Sequence, residues 1–461
     1  MDVNTLWSLR LGFSGKQAQT IKEQGINTFL QNAFATKPDI TLPDFFEGSP
    51  KTLKEVKAVR QSIKNDVTKA RARREKEKKI FFDLKSWWIN KMATEEYPLR
   101  EKMTLFWHNH YVTTYKKVKI NYWLYSHNTL LRENAFGNFR EITKQILRTN
   151  AMIIYLDNNK NTNKGFNENL SRELLELFTL GEGNYTETDI KNGAHGLAGL
   201  VAGNEGGYYR TAFQDDEPFT YFGEKGVFKS DEMVDIIFKQ KSAPYFITRK
   251  LLKWFIYDNP PEELVKYYGD YLREQDYEIE PLLTKIVTEE FDKSTAGSKI
   301  KDPLTYVIQL YHELNIKEQN HKLTALFIRQ QGMDLFNQPN VKGWSGGNYW
   351  LTAQLYLQRN RIANLYCNGK NFSEKMLRSV RKSDEPYTST FDITIEWNHN
   401  NKSKEVITEL KDRLLFDTDT ITQENFESIL KYDFDPTSKG ADNGVLRLFN
   451  YMVKTPEFQL I

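Results

Sequence analysis

The chain has 461 residues, 39% hydrophobic and 27% charged; at roughly 100–200 residues per domain that allows two to four units or one large helical domain. Lys and Arg number 64 against 61 Asp and Glu, a net charge of +3, which argues against a dedicated nucleic-acid binder with its strong basic excess. The single cysteine, Cys367, excludes an intramolecular disulfide framework and any zinc site built from several cysteines. No run approaches about 18 apolar residues, so no membrane-spanning helix is expected. Met1 to Lys22 lacks the apolar stretch of a secretory signal, which places the expectation in the cytoplasm, with export beside a partner or loss of a leader as the other route. Aromatic residues, 24 Tyr, 29 Phe and 9 Trp, make up 13% of the chain.

Most of the sequence predicts helix. Ser14 is placed to cap a helix running to Leu30, and a Pro/Gly-marked loop follows from Pro38 to Pro50 with the extended stretch Ile40 to Phe46. Thr52 to Thr94 contains no Pro or Gly and reads as one or two long helices, the charge run Lys69 to Lys79 at their centre. Further helices are predicted over Pro98–Thr113, Ile120–Glu133 and Phe136–Leu156. The Asn-rich stretch Asp157 to Asn167 predicts turns, because Asn tolerates left-handed backbone and closes Asx turns. A helix from Glu168 to Leu180 ends at Gly181, and Thr186 with Asp189 has capping-box spacing before a helix over Glu187–Leu200. Gly206 to Phe228 is the best β-hairpin, and Thr388 to Trp397 alternates like a strand or an edge arm. Between them lie helices over Asp231–Gln240, Pro244–Tyr257, Pro261–Glu274, Ile279–Phe291, Pro303–Leu314 and Leu323–Met333, and three short helices close the chain. With no internal repeat or low-complexity linker, the expectation is one large, mainly α, multi-helix domain over residues 1–461. Its sub-regions are 1–200 and 230–461, with a small β insertion at 206–228 and a strand-like arm near the C-terminus.

Three places carry candidate chemistry. On the Glu168–Leu180 helix, Leu170, Leu174, Leu177 and Phe178 form an apolar stripe, while Asn169, Arg172, Glu173 and Glu176 share another face. Two carboxylates, an amide and a guanidinium there suit a metal or an acid–base pair; the plainer alternative is a salt-bridged outer face. His108 and His110 converge only if the preceding helix ends near Trp107. In that case His108, His110, Glu173 and Asp157 would suit Zn, Mn or Fe; otherwise one histidine is buried and the other lies at the surface. In the loop Gln338–Tyr349, Trp344, Tyr349 and the following Trp350 offer ring faces beside Asn and Lys donors, as sugar or peptide ligands require; core packing of the tryptophans is the alternative. Nothing resembles a dinucleotide, Walker or Gly-x-Ser-x-Gly motif. Glu75 and Glu77 interrupt the basic run, so a solvated helix outweighs nucleic-acid or lipid binding there.

Several segments resemble one family. Pro98–His110 is similar to its REK…FWHNH block, Asn167–Gly181 to its NEN..RE..EL.TLG block and Asn337–Gly347 to its PPNV.GW.GG loop. Leu11–Ser14 and Thr455–Gln459 resemble its two boundaries. The chain thus resembles the bacterial domain-of-unknown-function family numbered eighteen hundred, over nearly its whole length. The resemblance brings no established activity, and many relatives have His where Phe178 stands. Relatives encoded beside an exported sulfatase- or phosphatase-like protein imply a protein partner of that kind. The leading expectation is a metal-assisted hydrolase acting between the His108/His110 segment and the Glu168–Glu176 helix. There the metal would acidify a water, Glu173 or Glu176 would take its proton and Arg172 would stabilise developing charge. The aromatic loop points to a glycan or polymer fragment as substrate. The alternative is a non-catalytic helical scaffold in which Arg172, Glu173 and Glu176 form an internal ion-pair network.

Overall fold

In the computed structural model, which describes residues 1–373, 389–431 and 434–461, the first half of the chain runs through α1 (Val3–Leu11), α2 (Ala18–Gln24), α3 (Ile26–Ala35), α4 (Leu53–Ile63), α5 (Val67–Thr94), α6 (Leu99–His110), α7 (Tyr115–Val118), α8 (Asn121–Glu133), α9 (Phe139–Leu147), α10 (Asn150–Tyr155), α11 (Asn169–Glu173) and α12 (Glu187–Gly196). After two hairpins come α13 (Ser230–Phe238), α14 (Ala243–Phe255), α15 (Glu262–Glu274), α16 (Ile279–Glu290), α17 (Pro303–Glu313), α18 (His321–Gln330), α19 (Ala353–Tyr366), α20 (Ser403–Leu414), α21 (Thr420–Ile429) and α22 (Ala441–Met452). The protein is therefore mainly α. No described helix is long and apolar enough to cross a membrane.

Local chemistry accounts for the element ends. Ser14 caps a short 3₁₀ turn by accepting from the Lys16 N–H. The single helix predicted to reach Leu30 is instead broken at Gly25, whose φ of 75° lies in the left-handed region. The Pro/Gly-free stretch divides into α4 and α5, each with its own cap, Thr52 and Asp66. The first half of α5 is largely solvated, and its second half buries Ile80, Leu84, Trp88 and Met92 at four-residue spacing. Thr186 and Asp189 close their capping box ahead of α12. That helix stops at Gly196, and Leu200–Val201 (β1) pairs antiparallel with Tyr208–Tyr209 (β2). The expected insertion thus holds a second hairpin, Phe219–Tyr221 (β3) with Glu224–Gly226 (β4).

Two departures come later in the chain. Helix α19 is absent from the sequence reading, because its buried stripe is Arg359, Ile362, Ala363 and Tyr366, headed by a charged residue. Arg359 is fully buried, donating to the Gln331 and Gln459 side chains and to the Lys301 carbonyl. The alternating arm is extended, with Phe391, Ile393, Ile395 and Trp397 more buried than their neighbours. Among the described residues it makes one isolated bridge, Lys370 to Thr390, and no strand ladder; Thr388 lies outside the described residues.

One hydrophobic cluster runs from Trp7 to Phe458, and α6 passes through it. Almost every residue of α6 is buried, so its charges need internal partners. Glu101 pairs with Arg132, and Lys102 meets Asp302 and Thr305. A helix held on all sides in this way is a rigid support for whatever its C-terminal end presents.

Candidate functional site

The end of α6 is where the three family-like segments meet. The Phe336 N–H donates to His108 Nε2 at 3.0 Å, the Gln338 side-chain amide to the His108 carbonyl at 2.8 Å, and the Trp344 N–H to Asn109 Oδ1 at 2.7 Å. These bonds pin the Phe336–Trp344 segment to α6. His110 reaches the other way, its Nε2 lying 3.0 Å from the Phe178 carbonyl. That carbonyl can only accept, so Nε2 carries the proton and Nδ1 is left as an acceptor. Lys250 of α14 fills it, its Nζ 3.1 Å from Nδ1 and 3.0 Å from the Leu177 carbonyl.

The accepting carbonyls belong to an unusual helix end. After α11 the backbone widens into a π-helical turn over Leu174–Thr179, with the Leu180 N–H donating to the Leu175 carbonyl five residues back. The extra residue shifts the apolar stripe. Leu175 becomes fully buried and Leu177 stays partly exposed, whereas a regular α period puts Leu177 in the core. Lys250 and His110 then satisfy two carbonyls that the helix leaves without partners.

The expected metal set is not assembled. Helix α6 continues through His110, so the two histidines diverge; both are buried, at 0% and 3% exposure. His108 packs edge-on against Trp88 and accepts from Phe336, and burial holds its pKa well below 6.5. Asp157 pairs with Lys117 at 2.7 Å and Lys160 at 2.9 Å. Among the described residues no three His, Cys, Asp or Glu side chains converge as a metal would need. The acidic helix face is likewise divided. Arg172 forms a two-pronged pair with Glu187 of α12, at 2.9 and 3.0 Å, and also contacts Glu168. Glu176 accepts from the Tyr185 hydroxyl at 2.9 Å. Glu173 is half-buried, its pKa raised by burial and then by the charge of Glu176. Asn169 opens α11, its N–H donating to Asn167 Oδ1. The Asn-rich stretch serves the end of α12 instead: Asn158 donates to the Leu197 and Leu200 carbonyls and Asn161 to that of Ala194.

Beside the meeting point of the three segments lies a cavity of about 240 Å³ between the end of α6, the C-terminal half of α14 and the glycine loop. Phe106, Trp254, Trp344 and Trp350 wall it, and Lys250, Lys253, Lys299 and Lys342 line it against one carboxylate, Asp258. Of the aromatic residues expected at a ligand, Trp344 and Trp350 are here, each 5% exposed. Tyr349 is 73% exposed and not among the lining residues. Three polar atoms of the wall, Trp254 Nε1, Trp344 Nε1 and Asp258 Oδ1, are buried without a hydrogen-bond partner among the described residues; the ordinary fate of such groups is to be paired. Asp258 Oδ1 faces Lys299 Nζ at 3.9 Å. Burial lowers Lys250 from 10.5 to about 7 and Lys299 to about 8, the latter opposed by Asp258 and Asp302. Lys342 reaches from the cavity rim to within 4.0 Å of Glu176, so the predicted acidic face borders the cavity without lining it.

Lys250, Lys299 and Asp258 escaped the sequence reading. For Lys250 a signal existed: it falls three residues after Ile247 and four before Trp254, on the apolar flank of an amphipathic helix where a solvated lysine does not belong. Lys299 and Asp258 lie in connecting segments with no period to betray them.

The class defined so far is a mainly helical protein with a lysine-lined, tryptophan-walled cavity beside the meeting point of three segments. Residues 5–460 match the family described as protein of unknown function (DUF1800), and the chain belongs to that family. No curated protein and no solved structure matches it.

Proposed function

We propose that the protein binds a small organic anion with a flat or apolar body in the cavity between α6, α14 and the glycine loop. The observation that carries this is the lining: four lysines to one carboxylate, enclosed by three tryptophans. Cationic groups in a partly dehydrated recess attract negative charge more strongly than the same groups in water. Ring faces recognise an apolar or planar body, and the unpartnered indole N–H groups supply donors. Metal-assisted hydrolysis is not part of this reading, because Arg172 is committed to Glu187, His110 to the Phe178 carbonyl and Lys250, and no ligand set converges among the described residues.

The test uses benzoate, phenylphosphate and phenyl-lactate as probes. Each is titrated into the full chain while tryptophan fluorescence and the unfolding temperature are followed. At least one is expected to quench the fluorescence and raise the unfolding temperature, as any ligand of the folded state must. Lys253→Met and Lys299→Met are each expected to weaken that binding about tenfold, the worth of one charged hydrogen bond. Absence of both effects with all three probes overturns the reading.

A further inference from the structure

The amine of Lys250 is placed differently from an ordinary surface lysine. It lines the cavity, yet its two hydrogen-bond partners are both neutral acceptors, His110 Nδ1 and the Leu177 carbonyl. The carboxylate of the cavity, Asp258, is held by the Ile300 N–H at 3.1 Å and by Lys299. Two acceptors are the complement of a neutral amine, which has two N–H bonds to give and one lone pair left over. A lysine whose only task was to cap a helix end would be served equally well by full solvation.

We infer that Lys250 is a carbonyl-condensing amine: the cavity takes a small anion that also bears a ketone or aldehyde, and Nζ forms an imine with it. This rests on the anion-binding reading above, with Lys253, Lys299 and Lys342 holding the ligand's charge. The lone pair of Nζ attacks the carbonyl carbon, forming the C–N bond while the C=O π pair moves to oxygen. One proton leaves nitrogen by way of His110 Nδ1 and reaches that oxygen. The C–O bond then breaks, and with the second nitrogen proton the oxygen departs as water, leaving C=N. One amine and one carbonyl thus give one imine and one water, and no oxidant or reductant is consumed.

The electrostatics favour the step. An amine at about 7 is half neutral at neutral pH, where a lysine at 10.5 is neutral in only about one molecule in 3,000. Desolvation in an apolar recess is an established way to make a lysine nucleophilic. His110 is itself held neutral by burial, so its Nδ1 can accept.

The experiment treats the full chain with phenylpyruvate and sodium borohydride, which reduces an imine to a stable secondary amine, and locates adducts by peptide mass mapping. Phenyl-lactate, the same body without the carbonyl, is titrated in parallel. A single adduct at Lys250, formed at least about tenfold faster than at surface lysines, blocked by phenyl-lactate and lost in Lys250→Met, is the expected result. If phenyl-lactate binds but Lys250 is labelled no faster than other lysines, the imine falls and the anion-binding reading stands. If phenyl-lactate does not bind and nothing is trapped at Lys250, both fall. An adduct at Lys250 with no measurable phenyl-lactate binding supports the amine and counts against the anion reading. Should Lys250→Met fail to fold, protection of Lys250 by phenyl-lactate in the unaltered chain decides in its place.

Discussion

Lys250 Nζ sits 3.1 Å from His110 Nδ1 and 3.0 Å from the Leu177 carbonyl, so one side chain of α14 ties the end of α6 to the π-helical turn after α11. The tie carries a pH signature. Lys250 is lowered from 10.5 to about 7 in the fold, so between those values the unfolded chain holds the proton that the folded chain has released. Stability contributed by this group therefore rises with pH across that window and is at its minimum below it. Lys250→Met removes the titration. Relative to the unaltered protein, the variant is expected to be most stable at or below about pH 7 and to lose that relative advantage steadily toward pH 10.5. Urea unfolding of both proteins across the window checks this; a relative advantage that grows with pH shows the sign to be wrong.

Gly343 meets Asn109 where the glycine loop packs on the end of α6. Gly343 has φ 83°, and a Cβ there would stand 2.4 Å from Asn109 Oδ1 and 2.6 Å from the Asn109 carbonyl oxygen. Gly343→Ala therefore meets backbone strain and a steric clash together, and is expected to cost about 1–3 kcal/mol. The loop should lift from α6, exposing Trp344 to acrylamide quenching. Adding Asn109→Ala should not restore stability, because the backbone oxygen remains in the way. Full recovery in the double variant would mean that the side chain alone makes the conflict.

The sequence conveyed helices whose apolar residues keep a clean period, such as α15, and ends marked by capping chemistry, as at Thr186 and Asp189; the one helix expected over Phe136–Leu156 is instead two, α10 starting afresh at its Thr149 cap. It misled where tertiary partners override the local rule. Arg359 heads a buried stripe and so hid α19, and the π-helical turn displaced by one residue the stripe expected to carry Leu177 inward. The candidate site was legible in its parts, the end of α6 and the tryptophan loop, but not in its centre. A lysine that titrates near neutrality is made by what surrounds it. The walls of this recess come from segments well separated in the chain, His110 and Lys250 being 140 positions apart.

Arg172 is expected to matter little. Its two-pronged partner Glu187 is 67% exposed and Glu168 is partly exposed, and solvated ion pairs of that kind contribute about 0.2–1 kcal/mol. Arg172→Ala should lower stability by no more than that and leave probe binding in the cavity unchanged, since Arg172 does not line it. Thermal unfolding and the phenyl-lactate titration measure both. A tenfold or greater loss of binding would instead place this guanidinium at the ligand.

The pair that should matter most is Glu101 and Arg132, inside the core at 3% and 0% exposure. Glu101 Oε1 accepts from Arg132 Nε at 2.6 Å, and its Oε2 accepts from Arg132 at 3.0 Å and from Trp88 Nε1 at 2.7 Å. Arg132 also lies over the Trp87 ring at 5.1 Å. Glu101→Gln keeps the volume but sets an amide N–H₂ against guanidinium donors and leaves the buried cation uncompensated. Breaking a buried pair from one side costs about 3–5 kcal/mol. Urea unfolding is expected to show a midpoint lowered by that amount with an unchanged slope, the mark of a stability change alone. The exposed counterpart Glu187→Gln, on the Arg172 pair, should stay within about 1 kcal/mol. Because α6 carries Asn109 and His110 at its far end, Glu101→Gln is also expected to loosen the cavity before global unfolding. Probe binding should then weaken in urea concentrations that leave the helical circular dichroism signal intact, whereas simultaneous loss of both would mean that the helix and the cavity yield as one unit.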